Sequence, residues 1–202
     1  MELSLTQFIS LDGVYQAPGG PEEDPSDGFT QGGWTAPFVD EGFGSFVDSA
    51  FARADAFLFG RRTYDIFASY WPKVGDEEPV AKAFNALPKY VASRTLDRAD
   101  WAGTEILGGD VVEQVEALKQ RPGRELQMHG SGGLAQTLLA AGLIDTLYLL
   151  TFPVVLGNGR RLFPAGAAPT RFRLAESRTT GTGVVLGTYR ADGAPEYGLI
   201  GE

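Results

Sequence analysis

An α/β fold, with a mostly parallel central sheet covered by helices and an antiparallel C-terminal hairpin, is predicted for this 202-residue chain. Three observations predict it. Short apolar strand patterns alternate with helix-period patterns up to Gly142. A long strand pattern follows over Thr146–Val155. Two further strand patterns then flank the turn Thr180-Gly181-Thr182-Gly183, which gives the hairpin.

Leu3 to Ile9 alternates apolar and polar residues and reads as the first strand. Residues 12–37 are rich in Gly, Pro, Asp and Glu, too long for a simple connection, and are expected to form a functional or mobile loop. Val39 to Arg53 reads as a helix, with Val39, Phe43, Phe46, Val47, Ala50 and Phe51 on one apolar face. Ala56–Phe59 is a short strand ending at Gly60, followed by a helix over Arg61–Tyr70 that Pro72 stops. Lys89–Ser93 and Thr104–Leu107 read as strands. Asp110 with Glu113 fits a capping box that opens a helix to Gln120. Glu125–His129 is a strand, Gly130–Gly133 a turn, and Leu134 to Ala141 a helix closed by Gly142. Arg171–Arg178 and Val184–Arg190 complete the set. A single domain over 1–191 with a polar tail over 192–202 is the expected organisation.

Composition narrows the chemistry. There is no Cys and one His, which excludes disulfides, thiolate nucleophiles and multi-His metal cages; no metal site is expected. Lys plus Arg number 17 against 26 Asp plus Glu, a formal charge of −9, which argues against a nucleic-acid partner. No apolar run approaches the roughly 20 residues that span a bilayer, and the start lacks the basic and apolar regions of a signal peptide. A cytoplasmic protein with a small-molecule partner and no membrane partner is the expectation.

Three stretches lie where strands turn into helices or loops. Gly60-Arg61-Arg62-Thr63 places two cations at a helix N-terminus, against the positive end of the helix dipole. A bound phosphate, meeting the free N–H groups, Thr63 and both guanidinium groups, would explain them; solvent-facing arginines are the alternative. His129-Gly130-Ser131-Gly132-Gly133-Leu134-Ala135 opens a second helix and matches a G-x-G-x-x-A spelling, although too late in the chain for a Rossmann fingerprint. It reads either as a phosphate-compatible turn or as a tight packing turn. Ser93-Arg94-Thr95 follows another strand and either adds to the same site or is an ordinary loop. His129 itself is expected to be structural.

The chain also resembles a known family. Phe8-Ile9-Ser10-Leu11-Asp12-Gly13 is similar to the first-strand motif in the reductase domain of bacterial riboflavin-pathway deaminase/reductases. Gly60-Arg61-Arg62-Thr63-Tyr64 resembles the G-R-x-T motif of dihydrofolate reductases, and Gly130-Ser131-Gly132-Gly133 their Gly-rich nucleotide turn. Leu147–Thr151 and Pro153–Gly159 resemble the late strand and loop of the same superfamily. The similarity runs from about Leu3 to Arg190.

This resemblance implies a dihydrofolate-reductase-like three-layer α/β/α fold and NADPH as cofactor. Arg61 and Arg62, helped by Ser93 and Arg94, would meet the adenosine 2′-phosphate. Thr63 with Gly60, and Gly130, Ser131, Gly132, Gly133 and Leu134, would line the pyrophosphate. Trp34, Thr151, Phe152 and Gly157 would border the substrate, with Tyr64 and Trp71 as further aromatic candidates. Asp12 is a candidate near the nicotinamide or a turn residue before Gly13. Among Asp40, Glu41, Asp48 and Asp55, only Asp40 shares the apolar helix face. It is either an inward acid with a raised pKa or the helix N-cap. The Trp-Pro pair of the classical enzymes is replaced by Trp34-Thr35-Ala36-Pro37, which leans away from dihydrofolate. With no Cys or H-x-E zinc set, the deaminase half is not expected. The expectation is an NADPH-dependent reductase of a small heterocyclic or carbonyl-bearing metabolite. The alternatives are a non-catalytic nucleotide- or ligand-binding protein and a phosphate-ligand enzyme without redox chemistry. A homodimer through the late strands is also implied.

Overall fold

Strand β1 (Glu2–Ser10) runs through the middle of an eight-stranded sheet. Apart from exposed Glu2 at its start and half-buried Phe8 it is buried along its length, as a parallel strand covered on both faces must be. The other strands are β2 (Ala54–Gly60), β3 (Lys89–Ala92), β4 (Thr104–Leu107), β5 (Glu125–His129), β6 (Thr146–Phe152), β7 (Phe172–Thr179) and β8 (Val185–Ala191). Their spatial order is β4-β3-β2-β5-β1-β6-β8-β7. Every pair from β4 to β6 is parallel, and β8 pairs antiparallel with both β6 and β7. This is the predicted mostly parallel sheet with an antiparallel C-terminal hairpin. The computed structural model describes residues 1–75 and 77–201.

Five α-helices flank the sheet: α1 (Glu41–Phe51), α2 (Arg61–Tyr70), α3 (Pro79–Ala86), α4 (Val111–Lys119) and α5 (Gly132–Ala140). The period-2 alternation of β2 sorts the two faces. Ala56 and Leu58 pack with Leu118 of α4 and Leu138 of α5, while Phe57 and Phe59 pack with Tyr64 of α2 and Phe84 of α3. A third cluster joins Phe46 and Ala50 of α1 to Tyr148, Leu150 and Phe152 of β6 and to Leu186 of β8.

Beyond shifts of one or two residues at element ends, such as α1 running Glu41–Phe51 rather than Val39–Arg53, two elements differ from the sequence expectation. Helix α3 has no counterpart in it; Pro79 opens it at the first helical position, where Pro is favourable. Strand β6 stops at Phe152 rather than Val155, where Pro153 has no N–H to continue the ladder.

The register explains where a site can form. β1 pairs with β5 only as far as Thr6 opposite His129, but with β6 as far as Ser10 opposite Phe152. The chain leaves β5 at Gly130, whose N–H donates to the Thr6 carbonyl. Beyond that bond β1 continues without β5 beside it. The opening lies at the C-terminal ends of parallel strands, where connections diverge and ligands bind in open α/β sheets.

Candidate functional site

A cavity of about 490 Å³ occupies this opening. Helix α2 spans it. The helix starts at Arg61 and Arg62 on the cavity wall, and Phe67 and Trp71 line the wall further along. At 1.5 Å per residue, Arg61 and Trp71 are about 15 Å apart, so the cavity has a cationic end and an aromatic end.

At the cationic end two chain turns are tied together. The Gly60 N–H donates to Ser131 Oγ at 2.9 Å, and the Ser131 N–H donates to Thr63 Oγ1 at 3.1 Å. Ser131 holds φ +56° and Gly130 φ +64°, the left-handed backbone that lets β5 turn sharply into α5. With Ser131 Oγ committed to Gly60, neither α2 nor α5 has a side-chain cap of its own. Both helix starts therefore direct uncapped N–H groups and positive dipole ends at one region. Gly132 is required for another reason: a Cβ there would lie 2.3 Å from the Tyr15 ring, which packs against the start of α5.

Three arginines line this end. Arg61 Nε donates to both Asp65 oxygens at 2.9 and 2.8 Å, an i,i+4 pair that offsets the unfavourable dipole. Arg62 reaches Asp24 at 3.2 Å and Ser26 Oγ at 2.7 Å. Arg160 reaches Asp24 and Asp27, each at 2.6 Å, and also Ser26. Burial acts to raise the Asp24 pKa, but hydrogen bonds from Ser26, Arg160 and Arg62 outweigh it and hold the carboxyl below its usual value.

The other end is built from Phe8, Phe51, Phe67, Trp71, Phe84 and His129. The His129 ring stacks on Phe51 at 5.0 Å between centroids and meets Phe84 edge-on at 5.7 Å. Burial pushes its pKa down to about 4, against a smaller opposing effect of Glu125, so the ring is neutral near pH 7. Gln127 fixes the tautomer. Its Nε2 donates to the Ala50 carbonyl and to Glu125, so its Oε1 must accept from His129 Nε2 at 3.2 Å. Nδ1 is then an unprotonated acceptor. Thr6 and Gln7 also line the cavity as residues; Thr6 lies opposite His129 in the sheet, Gln7 turns to the other face, and their Oγ1 and Oε1 are enclosed without a hydrogen-bond partner.

The structure brings Gly60, Arg61, Arg62, Thr63, Gly130, Ser131, Gly132, Gly133 and Leu134 together on the cavity. Other candidates lie elsewhere. Asp40 is the N-cap of α1. Its Oδ1 accepts from the Phe43 N–H, its Oδ2 from the Thr182 N–H, both at 2.9 Å, and its pKa is lowered rather than raised. Asp12 accepts from Ser10 Oγ and from the Leu156 and Gly157 N–H groups at 2.7, 3.0 and 2.9 Å. Burial opposes them, yet these bonds hold the Asp12 carboxyl well below the usual range. Neither acid lines the cavity. Ser93 caps its own turn, accepting from the Leu96 N–H at 3.0 Å, and Arg94 is an exposed residue after it; both are off the cavity wall. Trp34 and Phe152 pack edge-to-face at 5.3 Å inside the α1–β6 core, and Trp34 Nε1 donates to the Gln16 carbonyl. With Thr151 and Gly157 they lie off the cavity wall; Tyr64 is likewise core, and Trp71 alone of the aromatic candidates lines it. The sequence reasoning missed Arg160, Asp24, Tyr15, Thr6 and Gln7. Only Arg160 carried a signal, a cation directly after the Asn158-Gly159 turn.

The sheet order and the cleft at its strand ends define the class as an α/β protein with a dihydrofolate-reductase-like fold. Within that class the chain belongs to the family of the RibD C-terminal domain, whose model matches residues 2–186. It is 31% identical over 175 residues to the uncharacterized protein YyaP of Bacillus subtilis (strain 168), covering 83% of this chain and 90% of YyaP. In fold it is similar to a pyrimidine reductase-like protein from Corynebacterium diphtheriae, with TM-score 0.67, 15% identity, and 95% and 92% of the two chains covered. It is also similar to dihydrofolate reductase from Enterococcus faecalis in complex with NADP(H), with TM-score 0.59, 14% identity, and 95% and 96% covered.

Proposed function

We propose that this protein is an NADPH-dependent reductase of a small heterocyclic or carbonyl-bearing metabolite. One observation carries the proposal: a single cavity joins two interlocked, uncapped helix starts and three arginines at one end to an aromatic wall that includes His129 at the other. That donor set fits a phosphate-rich nicotinamide cofactor. Arg61 and Arg62 would hold the 2′-phosphate and neighbouring phosphates, while the turn Gly130–Leu134 and Thr63 would receive the pyrophosphate. When bound, the cofactor supplies hydride.

The chain's own residues then position and shield. Phe8, Phe51 and Phe84 exclude water from the far end, and neutral His129 offers a hydrogen-bonding partner for a substrate. Asp12 and Asp40 act as loop and helix staples in this scheme, so neither supplies the proton. A cytoplasmic location belongs to the same proposal.

The test is a pair of titrations with NADPH and NADH, followed by fluorescence. Changing Arg61 and Arg62 together to Ala is expected to weaken NADPH by about 2–4 kcal/mol and NADH much less. Equal losses would remove the 2′-phosphate assignment. Tight NADPH binding with no oxidation by any carbonyl or heterocyclic acceptor would favour a non-catalytic binding protein.

A homodimer is proposed on a separate observation. Seven of the eight residues of edge strand β7 are exposed, and Leu174 and Val185 on the hairpin are 51% and 44% exposed. An open edge of this kind pairs readily with another strand. Sedimentation is expected to show a dimer that Leu174→Lys weakens; a monomer at all concentrations would remove the proposal.

A further inference from the structure

Asp24 stands at the cationic end on a strap of chain, residues 18–28. Gln16 Nε2 donates to the carbonyls of Asp24 and Ser26, and Glu23 accepts from the Gly19 and Gly20 N–H groups. Thr35 donates to the Pro18 carbonyl through its N–H and Oγ1, the Glu23 and Phe29 N–H groups close local turns, and further ties run to two arginines from distant parts of the chain. Asp24 Oδ2 accepts from Arg160 Nη1 at 2.6 Å and from Arg62 Nη1 at 3.2 Å. Ser26 Oγ accepts from both guanidinium groups and donates to Asp24 Oδ1. Asp24 and Arg160, with Arg62, line the cavity, and the Asp24 side chain is only 13% exposed.

Two converging guanidinium groups face the Asp24 carboxylate and the Ser26 hydroxyl on the cavity side, while exposed Asp27 meets Arg160 from outside at 2.6 Å; the Asp24–Ser26 oxygens stand where a phosphate would. A phosphate brings more charge and a third oxygen, and arginine binds it bidentately. A carboxylate on the same chain competes with it at a high effective concentration.

We propose that Asp24 is a built-in counter-anion. Its carboxylate fills a phosphate cradle formed by Arg62 and Arg160, and a phosphate-bearing ligand exchanges for it and frees the strap 18–28. This extends the cofactor reading, because the cradle borders the same cavity, and it adds Arg160 to the phosphate contacts. Binding affinity is thereby set by the difference between two anions rather than by the arginines alone. The strap releases on binding instead of closing.

Inorganic pyrophosphate is the probe, because it needs only the cradle. Asp24→Asn is expected to bind pyrophosphate about tenfold more tightly than the unmodified protein, and Arg160→Gln to lose binding in either background. In the unmodified protein, saturating pyrophosphate is expected to raise amide hydrogen exchange over residues 19–27. That second measurement needs no variant and stands if Asp24→Asn folds poorly. Equal or weaker binding by Asp24→Asn, no pyrophosphate binding at all, or strap exchange that falls on saturation would each overturn the exchange. NADPH titrated beside pyrophosphate separates the two readings. NADPH binding without a gain in Asp24→Asn removes only the exchange; a pyrophosphate gain without preference for NADPH over NADH removes only the cofactor assignment.

Discussion

Asp40 and His129 show how the same side-chain chemistry is diverted by its neighbours. Asp40 sits on the apolar face of α1 by periodicity, yet its two oxygens are spent on the Phe43 and Thr182 N–H groups. It caps α1 and pins the β7–β8 turn to it. Asp40→Ala is expected to lower the urea midpoint and melting temperature while leaving NADPH affinity unchanged. A large loss of affinity at unchanged stability would return Asp40 to the site. His129 makes the pH prediction. Its folded pKa of about 4 lies below the ordinary value of 6.5, so between those values the unfolded chain binds more protons than the folded one. Stability therefore rises with pH across that window and is lost as pH falls from 6.5 to 4, by at most about 3 kcal/mol. His129→Gln is expected to flatten this part of the profile. An unchanged slope in urea unfolding between those pH values would show that the imidazole is not the group responsible.

Elements were more legible than the contacts between them. The bounds of α2, β4 and β5 follow directly from periodicity and from the Gly and Pro residues that flank them. The G-R-R-T and G-S-G-G turns were legible as phosphate-compatible because two helix starts follow two strands. Their interlock through Ser131 and Thr63 was not, since sequence separations of 71 and 68 residues carry no local signal. Trp34 and Phe152 fall in the core rather than on the cavity wall because aromatic residues near a loop suit a pocket wall and a core equally well, and only packing decides; Thr151 and Gly157 also lie off that wall. The α5 start gives a test of the assembled geometry. Gly132→Ala puts a Cβ 2.3 Å from Tyr15, so the ring must leave the α5 start. A cost of about 1–3 kcal/mol is expected, as for other overpacking changes, and Tyr15→Ala in the same chain should recover part of it. Full stability of Gly132→Ala alone would mean that Tyr15 is not held there.

At the scale of the whole molecule the formal charge of −9 and the arginine-lined cleft act in opposite directions. The cleft is less positive than its arginines suggest. Arg61 is paired with Asp65, Arg62 and Arg160 share Asp24, Arg160 also meets Asp27, and neighbouring Arg161 meets Asp12. With these cations locally neutralised, an approaching polyanion senses mainly the acidic total until it is within contact distance. Steering by a basic surface makes association slow down as salt is added. Here the long-range force is repulsive, and raising ionic strength from about 0.01 to 0.15 M shortens the Debye length from about 30 to 8 Å. The association rate of NADPH, measured by stopped-flow fluorescence, is therefore expected to rise severalfold over that range. The dissociation rate should rise too, because the contact pairs are partly screened, so the equilibrium affinity changes less than either rate. An association rate that falls steeply with salt would show that the cleft projects a net positive field, and that the acids beside the arginines do not neutralise them at a distance.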